Sequence, residues 1–192
     1  MSDRTYVLSY DIGTTGVKTC LFEVEDEIKL IAAEMEGYSL TVYPDGGAEQ
    51  DPDEWWSAIC NTTKRLMNST SVSTSEIAGI SFCSQMQGLV LVDKDGQPLT
   101  DIILYFANTE SGAFTDLVNT IGAEKFMRIT CVLPDASYSL AKMLYSLKAA
   151  PRPVWKFLFI ASYICFCLSG ESVADYLSLI HISEPTRRVV IS

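Results

Sequence analysis

Tyr6 to Tyr10 is a short apolar run, Asp11 to Gly16 is a cluster of glycine and threonine, and Val17 to Val24 is a second run rich in apolar and β-branched residues. Two such runs joined by a short glycine-containing segment predict a β-hairpin. Ile28 to Val42 reads as a third extended stretch, with Gly37 marking a bulge inside it and the Pro44 to Gly47 cluster ending it. Asp51, Pro52 and Glu54 then supply an N-cap, a first-turn proline and a third-position carboxylate. That is a helix start of the capping-box kind, with Asp at the cap, and the helix runs to about Asn68. Trp55, Trp56, Ile59, Cys60, Thr63 and Leu66 recur at steps of three and four, so one stripe is buried and Lys64 and Arg65 lie outside it. The two tryptophans therefore read as core rather than as ligand contacts.

Further along, Ile77 to Cys83 and Leu89 to Val92 read as strands, Asp93 to Gly96 as a turn, and Ile102 to Phe106 as another extended run. Glu110 to Ile121 and Tyr138 to Lys148 read as helices, the second broken by Pro151 and Pro153. Val154 to Leu168 is a buried strand or helix that ends at Ser169 and Gly170. Cys165 and Cys167, within it, read as small apolar packing residues. A hairpin-rich opening followed by alternating strands and helices predicts an α/β fold, a mixed sheet flanked by helices.

Composition narrows the partners. The chain has 192 residues, 48% hydrophobic and 20% charged, which is globular rather than disordered. Acidic residues outnumber basic ones 24 to 14, for a formal charge of −10, the wrong sign for a broad surface that holds nucleic acid. The six cysteines form no CxxC pair and there is a single histidine, so no zinc spacing exists, and free thiols in a reducing cytoplasm are expected. Met1 to Thr5 is polar and lacks the apolar core of a secretion signal. The longest apolar run, Phe157 to Leu168, falls short of the about 20 residues that span a bilayer, so no membrane partner is expected.

The first candidate for chemistry is the turn holding Asp11, Gly13, Thr14, Thr15, Gly16 and Lys18. Glycines let backbone N–H groups approach a phosphate, threonine hydroxyls add donors, and a carboxylate at a strand end can hold Mg²⁺ through water. The spacing is neither that of a P-loop nor that of a dinucleotide fold. On residue types alone two readings stay open: a phosphate cradle, and a hairpin whose glycines only satisfy turn geometry.

Three segments in register carry a resemblance: Tyr10-Asp11-Ile12-Gly13-Thr14-Thr15-Gly16-Val17-Lys18, then Gly47-Ala48-Glu49-Gln50-Asp51-Pro52 with Trp55 and Trp56, then Ile80-Ser81-Phe82-Cys83-Ser84-Gln85-Met86-Gln87-Gly88-Leu89. With the Asp93 to Pro98 turn and the Tyr163 to Tyr176 segment, they resemble the FGGY carbohydrate kinases, and within them xylulokinases most. The resemblance implies an actin-like, ribonuclease-H-like ATPase fold of two domains with ATP in the cleft between them, of which this chain would be an incomplete N-terminal half. It implies that Asp11 acts on Mg²⁺, that Gly13, Thr14 and Thr15 contact phosphate oxygens, and that Lys18 adds a lesser electrostatic contribution. Gln85, Met86 and Gln87 match the segment lining the sugar pocket, and Tyr105 can stack on a sugar. Xylulokinases usually carry histidine at the place of Gln87, and the family commonly has Asp and Arg where this chain has Ala107 and Thr109.

The implied activity is transfer of the ATP γ-phosphoryl group to a sugar or polyol hydroxyl, D-xylulose first, with glycerol, gluconate and other pentuloses behind it. The catalytic base would be an aspartate beyond residue 176, so this chain alone is expected to be inactive. The expected partner is a small-molecule sugar, with a homodimer left open for the intact enzyme. A non-catalytic nucleotide- or sugar-binding member of the actin-like superfamily would share the Asp11 hairpin, whereas an ATPase of the chaperone or actin type would not be expected to carry the Gln85 to Gly88 turn. Finally, residues 177–192, from Leu177 through Arg187 to Ser192, resemble a translated sequencing-library adapter, which makes 1–176 the expected natural part and 177–192 a non-native tail.

Overall fold

The computed structural model describes residues 5–104, 107, 112–131 and 133–173. In chain order the strands are β1 (Thr5–Ile12), β2 (Gly16–Val24), β3 (Ile28–Gly37), β4 (Thr41–Val42), β5 (Ala48–Gln50), β6 (Ile77–Ser84), β7 (Leu89–Val92), β8 (Ile102–Ile103) and β9 (Lys156–Phe159). The helices are α1 (Pro52–Ser69), α2 (Gly112–Ile121), α3 (Ala123–Thr130), α4 (Ser139–Ala149) and α5 (Ile160–Ser169). The chain divides into two compact units, Met1–Thr41 with Gln50–Gln85 and Val42–Glu49 with Met86–Ser192.

The first unit is built on a four-stranded mixed sheet in the order β3-β2-β1-β6. The expected hairpin is β1 and β2, paired antiparallel so that Asp11 faces Lys18, and β6 joins β1 in parallel with Cys83 facing Asp11. Period-two alternation sorts β1: Tyr6, Leu8, Tyr10 and Ile12 are buried while Asp11 is exposed. Helix α1 covers the buried face, held by hydrogen bonds from Thr19 Oγ1 to Thr62 Oγ1 at 2.7 Å and between Tyr10 Oη and Thr63 Oγ1 at 2.8 Å. Asp51 is the expected N-cap, its carboxylate accepting from the Asp53 N–H at 2.8 Å, but the reciprocal half of a capping box is not made, because the Glu54 carboxylate is taken by Ser39. Trp55, Ile59 and Leu66 are buried and Lys64 and Arg65 exposed, but the buried threonine is Thr62, with Thr63, Trp56 and Cys60 half-buried.

The third extended stretch departs from expectation twice. Its bulge lies at Ile31, the extra residue between the pairs Leu21–Ala32 and Phe22–Leu30, rather than at Gly37. Gly37 instead ends the strand opposite Gly16, and the chain resumes pairing only at β4, in the other sheet. Side chains divert it: Tyr38 stacks on Trp55 with centroids 5.1 Å apart, and Ser39 gives its N–H and hydroxyl to the Glu54 carboxylate at 2.6 and 3.0 Å. Glycine is demanded at 16, because a Cβ there would stand 2.4 Å from the Glu36 carbonyl oxygen.

In the second unit the sheet order is β4-β5-β8-β7-β9, with β7 antiparallel to both neighbours. All four residues of β7 are buried, the reading of a strand covered on both faces. Val154 to Leu168 is strand and helix in succession, β9 running directly into α5, which ends on Gly170 at φ 76°. Gly88 makes room for that junction, since a Cβ there would fall 2.2 Å from Ile160 Cδ1. Helix α3 has no counterpart among the expected elements, because its N-cap Gly122 offers no side-chain cap to read. It packs through Phe126 against Phe114 of α2 and Ala141 of α4. Tyr105, Phe106 and Glu110, the ends of two expected elements, lie outside the described residues.

The crowding at Gly16 sets a test. Gly16→Ala places a methyl against a backbone carbonyl that cannot swing aside, and it should lower stability by about 1–3 kcal/mol in urea denaturation. Gly37→Ala, whose Cβ would meet Thr15 O at 3.3 Å, should cost less.

Candidate functional site

The turn Gly13-Thr14-Thr15 is closed by the Gly13 N–H donating to Gly16 O at 3.1 Å. Its carbonyls are held by side chains of the same unit. Gly13 O accepts from the Tyr38 hydroxyl and, at 3.5 Å, from Gln85 Nε2. Thr14 O accepts from Gln50 Nε2 at 2.9 Å, and the same amide nitrogen donates to Ser39 O at 3.0 Å. Gln85 also accepts from Thr14 Oγ1 at 3.3 Å, while its backbone N–H is tied to Ile12 O at 3.1 Å. A peptide unit is planar and trans, so a carbonyl pointing one way sends the next residue's N–H the other way. The N–H groups of Thr14 and Thr15 accordingly find no acceptor among the described residues.

Beside these donors stands Asp11, exposed at the end of β1, its Oδ1 accepting from Cys83 Sγ at 3.4 Å. Burial, then the hydrogen bond and charge of Asp11, push the Cys83 thiol up, so it stays a protonated donor to the carboxylate. Burial first, and Asp11 second, likewise push the Tyr38 phenol far above its ordinary range, which keeps that hydroxyl protonated. Lys18 is exposed on β2, across from Asp11. The structure therefore brings Gly13, Thr14 and Gln85 together, with Asp11 at the strand end that leads into the turn and Thr15 exposed in it.

Of the expected sugar-side residues, Gln85 has both ends of its side chain on the turn. In the second unit, Met86 is exposed and Gln87 adopts φ 60°, a left-handed conformation uncommon outside glycine. The Gln87 carbonyl accepts from Lys142 Nζ at 3.3 Å. Lys142 is fully buried, and burial pushes its ammonium down to about 8, an effect that the charge of Asp135 partly opposes. Tyr105 lies outside the described residues.

Sequence reasoning passed over Tyr38, Gln50 and Lys142. Lys142 was signalled by a cation set among Leu140, Ala141, Met143 and Leu144 on an otherwise apolar helix. Gln50 was visible only as a letter of its motif, and Tyr38 as part of a strand that in fact ends one residue earlier.

A mixed sheet opened by an antiparallel hairpin and flanked by helices is the architecture of the actin-like ATPase fold. The model for "FGGY family of carbohydrate kinases, N-terminal domain" matches residues 6–181, and the chain belongs to that family. Curated relatives include a xylulose kinase of Bacillus subtilis, 30% identical over 93% of this chain and 37% of that protein. A gluconokinase of the same species is 31% identical over 90% of this chain and 33% of its own length. Among solved structures, the ligand-bound xylulose kinase of Lactobacillus acidophilus superposes with a TM-score of 0.77 at 27% identity, covering 92% of this chain and 36% of that one. The gluconate kinase of that species gives 0.77 at 26%, with 93% and 36% covered. The chain thus spans about a third of the length of the relatives it matches. Among the described residues no helix is long and apolar enough to cross a membrane.

Lys142 makes stability depend on pH. Its folded value near 8 lies below the ordinary 10.5, so between those values the unfolded chain holds more protons. Stability should rise as pH climbs through that window, the burial penalty being complete below it. Lys142→Met should remove that rise, read as the difference in urea midpoint between wild type and variant at pH 7.5 and pH 10.

Proposed function

We propose that the whole protein transfers the γ-phosphoryl group of ATP to a hydroxyl of a small sugar, D-xylulose before gluconate or glycerol. The observation that carries this reading is the pair of N–H groups at Thr14 and Thr15, without an acceptor among the described residues, next to the strand end that exposes the carboxylate of Asp11. Two backbone donors in a tight turn form a concavity suited to phosphate oxygens. The donor set also suits Mg²⁺, which is usually bound through one or two carboxylates together with substrate phosphates and water. Among the described residues no cluster of three or more His, Cys, Asp or Glu could hold a metal ion by itself, so the cation would come with the nucleotide. Bound there, it would neutralise charge on the transferring group.

The residue roles in this reading are those that the family resemblance implies. Asp11 would hold the cation through its carboxylate, Gly13 to Thr15 would orient the phosphate chain, and Lys18 would add positive potential from the neighbouring strand. Gln87 and the exposed Met86 would offer polar and apolar contact to the sugar, with Tyr105 stacking on it. No residue of this chain is assigned to accept the hydroxyl proton. Xylulose leads because xylulose kinases of two genera match at 30% and 32% identity, while the gluconokinase at 31% and a glycerol kinase of Thermococcus gammatolerans at 27% support the other substrates. The free thiols of all six cysteines support work in the cytoplasm.

Asp11→Asn tests the seat. In calorimetric titration, ADP should bind the wild-type chain more tightly when Mg²⁺ is present, and the variant should lose that gain, roughly tenfold in affinity. Equal Mg²⁺ dependence in both would remove Asp11 from the reading.

A further inference from the structure

We infer that Gln50 and Tyr38 are positioning residues for nucleotide phosphate, acting by holding the Thr14 and Gly13 carbonyls inward so that the next two amides face the ligand. The inference rests on the phosphate-seat reading above and adds two residues that touch no ligand.

Gln50 is 2% exposed, and its Nε2 donates to two carbonyl oxygens, Thr14 O at 2.9 Å and Ser39 O at 3.0 Å. Because both partners are acceptors, the amide must present its NH₂ group to them, which leaves Oε1 buried with no partner among the described residues. A buried acceptor without a donor is costly, and a glutamine chosen for stability alone would not be left in that state. What the arrangement secures is the orientation of the Thr14–Thr15 peptide unit, whose N–H is opposite the bonded carbonyl. Tyr38 does the same for the Gly13–Thr14 unit, its hydroxyl on Gly13 O and its ring fixed by stacking on the fully buried Trp55 at 5.1 Å. The amides are thereby aimed before any ligand arrives, and no orientation is lost when one binds. Without the two side chains, water can bond those carbonyls from outside and the peptide units can rotate.

The test uses the 192-residue chain, Mg-ADP as the probe, and amide and carbonyl NMR shifts as the readout. Three variants serve: Tyr38→Phe, which keeps the ring on Trp55, Gln50→Glu, which keeps the shape but loses the NH₂ group, and Gln50→Leu. In wild type, Mg-ADP should shift the Thr14 and Thr15 amides. Each variant should move the carbonyl ¹³C resonance of Gly13 or Thr14 without ligand and should weaken Mg-ADP binding by roughly tenfold. Near-UV circular dichroism of the Trp55 region, unchanged in Tyr38→Phe, separates this from unfolding. If Thr14 and Thr15 do not respond to Mg-ADP in wild type, the phosphate-seat reading fails and the inference falls with it. If they respond equally in wild type and in a folded variant whose carbonyl resonance has moved, the seat stands and the positioning role is overturned.

Discussion

Two carbonyl oxygens, those of Gly13 and Thr14, are turned into the protein and bonded there by Tyr38, Gln50 and Gln85. Peptide planarity converts that internal satisfaction into an external property, because the N–H groups of Thr14 and Thr15 are left facing away with no acceptor among the described residues. A hairpin turn whose glycines served only conformation would not need three side chains from separate segments to hold its carbonyls.

The fold serves this arrangement through the departure of the chain after Gly37. Close passage of β2 under Glu36 and Gly37 is possible because residue 16 has no side chain. The next residues, Tyr38 and Ser39, leave the sheet and dock on α1 through Trp55 and Glu54. Helix α1 is anchored to β1 and β2 by the Thr62 and Thr63 hydroxyls and capped by Asp51, one residue from Gln50. The motif around Asp51 thus has two jobs: it starts the helix and places an amide under the turn. Asp11 sits on the opposite alternation of β1 from Tyr10 and Ile12, so the packing that buries those two exposes the carboxylate.

Much of this was legible in the sequence because its causes are local. The apolar runs of β1 and β7 and the cap at Asp51 each fix an element from neighbouring residues. What was not legible depends on contacts between segments far apart. The halt at Gly37 reflects stacking on Trp55, 17 residues on from Tyr38, and the bulge fell at Ile31, where pairing with β2 slips, rather than at the glycine that composition favours. At the site, Asp11 and the Gly13 to Thr15 turn were readable as types able to meet phosphate, whereas Tyr38, Gln50 and Lys142 act on backbone carbonyls, a role that no side-chain pattern announces. Met86 and Gln87 were named only through the sequence resemblance, and the geometry by itself does not single them out as ligand contacts.

Paramagnetic relaxation by Mn²⁺-ADP reads directly where a metal–nucleotide complex sits on the protein. Added in substoichiometric amounts to the labelled chain, it should broaden the Asp11 carboxyl carbon and the Thr14 and Thr15 amides before any others. Broadening centred instead on the Glu34 and Glu36 surface that pairs with Arg65, with Thr14 and Thr15 untouched, would contradict the phosphate-seat reading.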